Sequence, residues 1–269
     1  MRAIQRRRGC DDAGVRLALE FAERGTVFAA RDGGEVVGIA VAHETDDERY
    51  VGDLFVEPSY RSQGVGRRLL ESALAGSDGV ARAIVVDTQD TAGVALALRF
   101  GMIPREALVR FAGAVPREEE LATMAAGHYR FEVSAIDPIA HALGLRELDR
   151  QTRGAPRFDH PELARSGAGT AFFLNGEFVA YAYVWPDGRI GPLACASQAY
   201  VVQIFAYALL SLTRQHGGTW CVALVPGSNV RVARACMRAG LRIGAPLLLA
   251  GDAFGADASA CVGYHTLLF

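Results

Sequence analysis

Apolar and polar positions along the chain follow two periods, one of two residues and one of about 3.6, and they do so twice in the same order. Gly34-Glu35-Val36-Val37-Gly38-Ile39-Ala40-Val41 predicts a turn followed by a strand, and Gly176-Glu177-Phe178-Val179-Ala180-Tyr181-Ala182-Tyr183 repeats it. A second strand is expected at Asp53-Leu54-Phe55-Val56, with an amphipathic helix from Gly66 to Ala75 behind it. Its counterparts are Gly191-Pro192-Leu193-Ala194 and a helix from Ala199 to Leu212. Both stretches continue with an apolar strand, Ala83–Asp87 or Trp220–Leu224, then a short helix and a helix-ending glycine, Gly101 or Gly240. The spacings between Gly34 and Gly176, Asp53 and Gly191, and Gly101 and Gly240 are 142, 138 and 139 residues. A period this long predicts duplicated domains and not stacked small repeats. With Phe111-Ala112-Gly113 closing the first copy and an acidic helix over Pro116–Gly127 leading into the second, the expected domains are 1–115 and 116–269. Each is expected to be a mixed α/β unit whose mixed sheet is flanked by helices. Val262–Phe269 is expected to add a last strand, with His265 as a structural histidine.

Composition narrows the chemistry. At 269 residues and 51 % hydrophobic, the chain can fill one large or two medium cores. A net charge of −2, with charges dispersed, argues against a nucleic-acid binder that neutralises many phosphates, and Arg6-Arg7-Arg8 reads as a solvated run. All 28 basic residues are arginine. Schiff-base chemistry, a P-loop lysine and a lysine general base are therefore excluded. The 5 cysteines (Cys10, Cys195, Cys221, Cys236 and Cys261) form no Cys-x-x-Cys pair and read as reduced core thiols. The 6 histidines form no metal-binding pattern, so no metal is expected. Residues 1–30 have no apolar stretch of signal-peptide type, and the apolar run from Ala199 to Leu212, interrupted by Gln203, falls short of the roughly 20 residues that span a bilayer. The expected setting is the cytoplasm, without membrane or nucleic-acid partners.

The segment with the strongest chemical content is Leu54-Phe55-Val56-Glu57-Pro58-Ser59-Tyr60-Arg61-Ser62-Gln63-Gly64-Val65-Gly66-Arg67, a strand, a turn and a helix start. Glycines there allow close backbone approach, and the unpaired N–H groups of a helix's first turn attract an anion such as a pyrophosphate. The segment matches neither the Walker A nor the Rossmann glycine pattern.

It resembles the GNAT superfamily of acyl-CoA-dependent N-acyltransferases, whose motif Arg/Gln-x-x-Gly-x-Gly/Ala follows a strand of the form Leu-x-Val-x-Pro. Arg61 to Gly66 matches without a gap, and the resemblance continues through Val86-Asp87-Thr88 and Gly93 to Met102. Leu148-Asp149-Arg150, Gly154-Ala155-Pro156-Arg157, Ile190-Gly191-Pro192-Leu193 and Pro226-Gly227-Ser228-Asn229 are similar to the subgroup in which a complete GNAT unit precedes a degenerate one. The resemblance implies a tandem-GNAT acetyltransferase, a monomer or homodimer, that uses acetyl-CoA on a primary amine of a small molecule. Alternatives are a non-catalytic acyl-CoA-binding module, a protein amine as acceptor, or a longer acyl donor.

By the resemblance, the amides of Arg61, Ser62, Gln63, Gly64, Val65, Gly66 and Arg67 hold the CoA pyrophosphate. Leu54, Phe55 and Val56 pair with the pantetheine arm, and the Val56 N–H polarises the thioester carbonyl. Asp53 is the first candidate for general base, with Tyr50, Glu57, His43 and Glu44 as alternatives; such a base is needed because an amine with a pKa of about 10.4 is mostly protonated at neutral pH. Asp90, where the family often has Asn, is equally a helix N-cap or a cofactor contact. Two departures stand out. The family's Tyr general acid falls at Ala97, and the second copy has neither glycine pair nor arginine between Pro192 and Ala199, so no CoA is expected there. The Arg153–His160 loop is a candidate source of polar groups for the acceptor pocket.

Overall fold

The computed structural model describes residues 23, 25–45, 47–77, 79–157, 159–252 and 256–263. Arg6–Arg8, Cys10, His265 and the tail strand expected beyond Gly263 lie outside the described residues. The described chain separates into two compact units, one of residues up to Arg105 with Leu249–Asp252, the other of Glu106–Leu248 with residues 256–263.

Among the described strands, the first in the first unit form an antiparallel hairpin, β1 (Thr26–Asp32) and β2 (Glu35–Glu44). Gly33 and Gly34 form its two-residue loop with φ of 53° and 93°, the pair of positive values that suits the twist of a tight hairpin. β3 (Glu48–Val56) pairs antiparallel with β2; α1 (Val65–Leu74) then leads to β4 (Ala81–Asp87), parallel to β3. Helix α1 buries Val65, Leu69, Leu70, Ala73 and Leu74, the stripe expected of a helix with one face on a sheet. Gly38 lies under it in a position where a Cβ would stand 3.0 Å from a Leu69 methyl. α2 (Thr91–Arg99) follows β4, and Gly101 ends it with φ 77°. β5 (Ile103–Ala114) starts in this unit and continues into the second.

Beside β4 lies β12 (Leu247–Gly251), whose residues from Leu249 on belong to the first unit. Asp252 just after it accepts from the Arg82 backbone N–H at 3.0 Å and from Arg82 Nε and a terminal nitrogen at 2.7 Å each. Arg82 hydrogen bonding, rather than burial, holds the Asp252 carboxyl below the usual range.

The second unit orders its strands as β5, β10 (Trp220–Pro226), β9 (Arg189–Cys195), β8 (Glu177–Val184), β7 (Ala168–Leu174) and β6 (Glu132–Ala135). β11 (Arg242–Ile243) pairs with β5, and β13 (Cys261–Val262) pairs with β9. α3 (Glu118–Ala125) and α6 (Val201–His216) share one core with Ala180, Ala182 and Val184 of β8; α6 runs past Leu212 to Gly217, where φ of 61° ends it. α4 (Ala142–Arg153), α5 (His160–Ser166) and α7 (Val230–Arg238) complete the unit.

Strand register makes the duplication explicit. Opposite the first strand, β2 skips Val37 and β8 skips Val179, while Gly38 faces Val56 and Ala180 faces Cys195. Each third strand carries one extra residue, Gly52 in β3 and Gly191 in β9, a bulge in the same place. The parallel pairs end alike, at Val51↔Ile84 and Ile190↔Ala223. Gly191 is thus the counterpart of Gly52, and Asp53 corresponds to Pro192, one residue away from the match that the bare sequence suggests.

Candidate active site

The bulge at Gly52 has a consequence for β3. Pairing with β4 covers Glu48–Val51 only, so the stretch Asp53–Val56 runs beside β2 alone among the described strands. Glu57 N–H donates to Val37 O at 2.9 Å, which makes that pair, and by alternation Ile39↔Phe55, the hydrogen-bonded pairs of the antiparallel ladder. Gly38↔Val56 and Ala40↔Leu54 are then the non-bonded pairs. Their N–H and C=O groups on the β3 side point away from β2, toward the gap that opens before β4. Val56 O accepts from Arg61 Nε at 3.2 Å in that direction. The gap is therefore edged by a short ladder of backbone donors and acceptors that an extended amide chain can join.

The turn at the end of β3 puts a second feature beside this edge. After the short 3-10 turn Pro58–Tyr60, Ser62 has φ 60° and Gly64 has φ 78°, both left-handed. Gly64 is the N-cap of α1 and supplies no capping side chain, and the first-turn amides of Val65, Gly66 and Arg67 precede the first helical hydrogen bonds. Backbone N–H groups turned outward by successive bends, at the positive end of a helix, form an anion cradle. Gln63 is anchored to Ser59 O at 2.9 Å, while Arg67 is exposed and paired with Glu71 at 2.8 Å. A Cβ at Gly66 would meet Val56 and Leu96 side chains at 3.5 and 3.6 Å, ordinary contact, so α1 comes close to both β3 and α2 here.

Side chains around the gap divide by face. Val56 and Leu54 share the α1 face with Gly38, and Asp53 and Phe55 take the other. Asp53, Tyr50 and His43 are buried, whereas Glu57 is half-buried. Glu44 is committed to Arg49 at 2.6 Å. Asp90 caps α2 by accepting from the Gly93 N–H at 3.0 Å. Ala97 is buried on α2, and its carbonyl receives the Met102 N–H at 3.1 Å.

Polar groups of the Arg153–His160 loop turn inward within the second unit. Arg157 pairs with Asp159 at 2.9 Å, both fully enclosed, and Asp149 accepts from the Arg157 backbone N–H at 2.8 Å. His160 Nε2 stands 3.0 Å from Asp149, its Nδ1 3.2 Å from the Tyr183 hydroxyl, and the Tyr181 hydroxyl donates to Asp149. Burial by itself would raise the Asp159 carboxyl, but the Arg157 guanidinium in contact reverses this and holds it low. Burial first, and then the Asp149 charge, raise Tyr181. Tyr181 and Tyr183 sit on the same face of an apolar strand, so they read as core until the loop is seen to fold over them. The hint lay in the charged residues of Leu148-Asp149-Arg150 and Pro156-Arg157 beside apolar neighbours. Among the described residues, no group of His, Cys, Asp and Glu side chains has the arrangement of a metal site, and no helix is long and apolar enough to cross a membrane.

Residues 5–102 match the family model described as Acetyltransferase (GNAT) family. A candidate acetyltransferase of Pyrococcus horikoshii is similar over 94 % of this chain and 83 % of its own, at 18 % identity and a TM-score of 0.67. A GCN5-related N-acetyltransferase from Sphaerobacter thermophilus matches over 92 % and 88 %, at 16 % identity and 0.58. A tandem GNAT protein from the clavulanic acid biosynthesis pathway matches over 87 % and 85 %, at 16 % identity and 0.54. At these identities the structural likenesses speak for the fold, a mixed α/β architecture, and the family match speaks for the first unit. A strand that leaves its neighbour after a bulge, a left-handed turn at the head of the next helix, and the family match to those same residues agree: residues 5–102 carry an acetyltransferase domain of the GNAT family.

Proposed function

We propose that the first unit transfers the acetyl group of acetyl-CoA to a primary amine of a small molecule. The observation that carries this reading is the parting of β3 from β4 after Val51↔Ile84, with the Val56 N–H turned into the gap beside the Gly64 turn. In this reading the amides from Arg61 to Arg67 hold the pyrophosphate, and the edge at Leu54, Phe55 and Val56 pairs with the pantetheine amides. The Val56 N–H donates to the thioester oxygen as negative charge develops on it. A fixed donor of this kind stabilises such a transition state by about 2.7–4 kcal/mol.

Asp53 accepts the proton of the incoming amine, directly or through water, with Tyr50 on the same strand helping to orient it. The amine nitrogen forms a bond to the carbonyl carbon, the tetrahedral intermediate collapses, and the C–S bond breaks to leave a thiolate. Because Ala97 offers no proton, the thiolate takes one from water.

Thermal unfolding with and without acetyl-CoA tests the reading, with wild type set against a Gly64→Val, Gly66→Val double variant. At about 100 times its Kd, the ligand adds roughly 2.7 kcal/mol to native stability. A midpoint shift confined to wild type supports the site, and a folded wild type without any shift refutes it. An amine panel read by thiol release then identifies the acceptor, and Asp53→Asn must alter the pH profile of kcat/KM if Asp53 is the base.

A further inference from the structure

The second unit contains the same gap, and it is filled. β9 leaves β10 after Ile190↔Ala223, as β3 leaves β4, and β13 enters the space: Cys261 pairs with Ala194 and Val262 with Leu193. The next residue reaches the other wall, since Gly263 bridges Leu224 of β10 and its N–H donates to Leu224 O at 2.8 Å. In register, Leu193 and Ala194 correspond to Leu54 and Phe55, and Leu224 corresponds to Val85. The three residues thus lie where the donor arm is placed in the first unit.

Two further contacts fit an occupant with amide groups. Asn229, fully buried, caps α7 by accepting from the Val232 N–H at 3.1 Å, and its Nδ2 donates to Cys261 O at 2.8 Å. Its counterpart in the first unit is Asp90, which caps α2 in the same way but has no proton to offer a carbonyl. A Cβ at Gly191, the bulge residue, would run into Gly263 O, so there is no space for a side chain.

We propose that the second unit retains a binding cleft for an extended amide chain and that the chain's own segment Cys261–Gly263 is its resident ligand. The cleft is closed to an acyl donor by this strand, and the protein binds a single acetyl-CoA. This rests on the first-unit reading for the identity of the displaced ligand, but the occupancy of the second cleft stands on the pairings above.

Hydrogen exchange on the full chain, with and without saturating acetyl-CoA, tests it alongside a calorimetric titration. The amides of Val262 and Gly263 are expected to be protected to the level of β9 and β10, to remain so with acetyl-CoA, and the titration to saturate at one equivalent. Asn229→Asp keeps the cap acceptor and loses the donor to Cys261 O, so protection at 262 and 263 is expected to fall about tenfold while Val232 stays protected. Asn229→Ser, whose shorter side chain keeps a cap oxygen but loses the amide nitrogen that reaches Cys261 O, adds no charge and gives the same result should the aspartate variant not fold. Unprotected amides at 262 and 263 in wild type, their deprotection by acetyl-CoA, two equivalents bound, or protection indifferent to both Asn229 variants would each overturn the proposal. If no acetyl-CoA binds at all, the first-unit reading fails, and the exchange pattern with the Asn229 variants still decides this one.

Discussion

Replacing Val56 by proline separates the proposed chemistry from the fold. Proline removes one N–H and sets φ near −65°, a change that an edge of a strand tolerates when its N–H is not in the ladder. Val56 meets that condition, since Gly38↔Val56 is a non-bonded pair and the Val56 N–H faces the gap. Phe55, one residue earlier, belongs to the bonded pair with Ile39. Proline there leaves the carbonyl of buried Ile39 without its donor, at a cost of about 1–3 kcal/mol. For a unit of about a hundred residues, that lowers the midpoint by roughly 4–8 °C per kcal/mol. The expected outcome is a crossed pattern. Val56→Pro melts within a few degrees of wild type and loses about 10²–10³ in kcat, the effect of removing an oxyanion donor. Phe55→Pro, compared with Phe55→Ala to subtract the side chain, loses stability. Circular dichroism melts and thiol release from acetyl-CoA measure both quantities. Wild-type turnover in a folded Val56→Pro protein would remove this N–H from the mechanism.

Four more outcomes can be checked. Gly66→Ala should keep its acetyl-CoA midpoint shift, because the added methyl makes only ordinary contacts, while Gly64→Ala must hold φ near 78° at about 1–2 kcal/mol and should melt earlier. Arg157→Met strands the buried Asp159 charge and should destabilise the second unit by about 3–5 kcal/mol in denaturant titration. Because the Asp159 carboxyl is held low, its stabilisation is fully present above the unfolded carboxylate value of about 3.9 and is lost as pH falls through the lower folded value; the acid limb of the stability curve should flatten in Asp159→Asn. In a Cys10→Ser background, no thiol should react with a disulfide reagent at pH 8 until the protein unfolds. Burial raises Cys195, Cys221 (to about 11), Cys236 and Cys261 (each to about 12), and all four are enclosed.

Much of this protein was legible from local pattern. The alternation at Glu35–Val41, the helical stripe from Val65 to Leu74 and the turn residues Gly33, Gly34 and Gly64 state their own conformations, because side-chain periodicity and left-handed φ are decided within a few residues. Arg61 to Gly66 could be read as a ligand turn for the same reason, and the duplication followed from the order of such elements. What lay beyond the sequence is strand pairing over long separations. That β3 leaves β4 at Val51, that Leu249–Asp252 return to β4 and clamp Arg82, and that Cys261–Gly263 fill the second gap are each settled by which backbone edges remain to be satisfied once the sheet has formed. A bulge adds a residue that only register can count, and this is why Gly191 aligns with Gly52 and not with Asp53. Burial works at the same level: Arg157, Asp159 and His160 are polar in sequence and interior in the fold because each found its partner there, and a charge is enclosed only where tertiary contact supplies one.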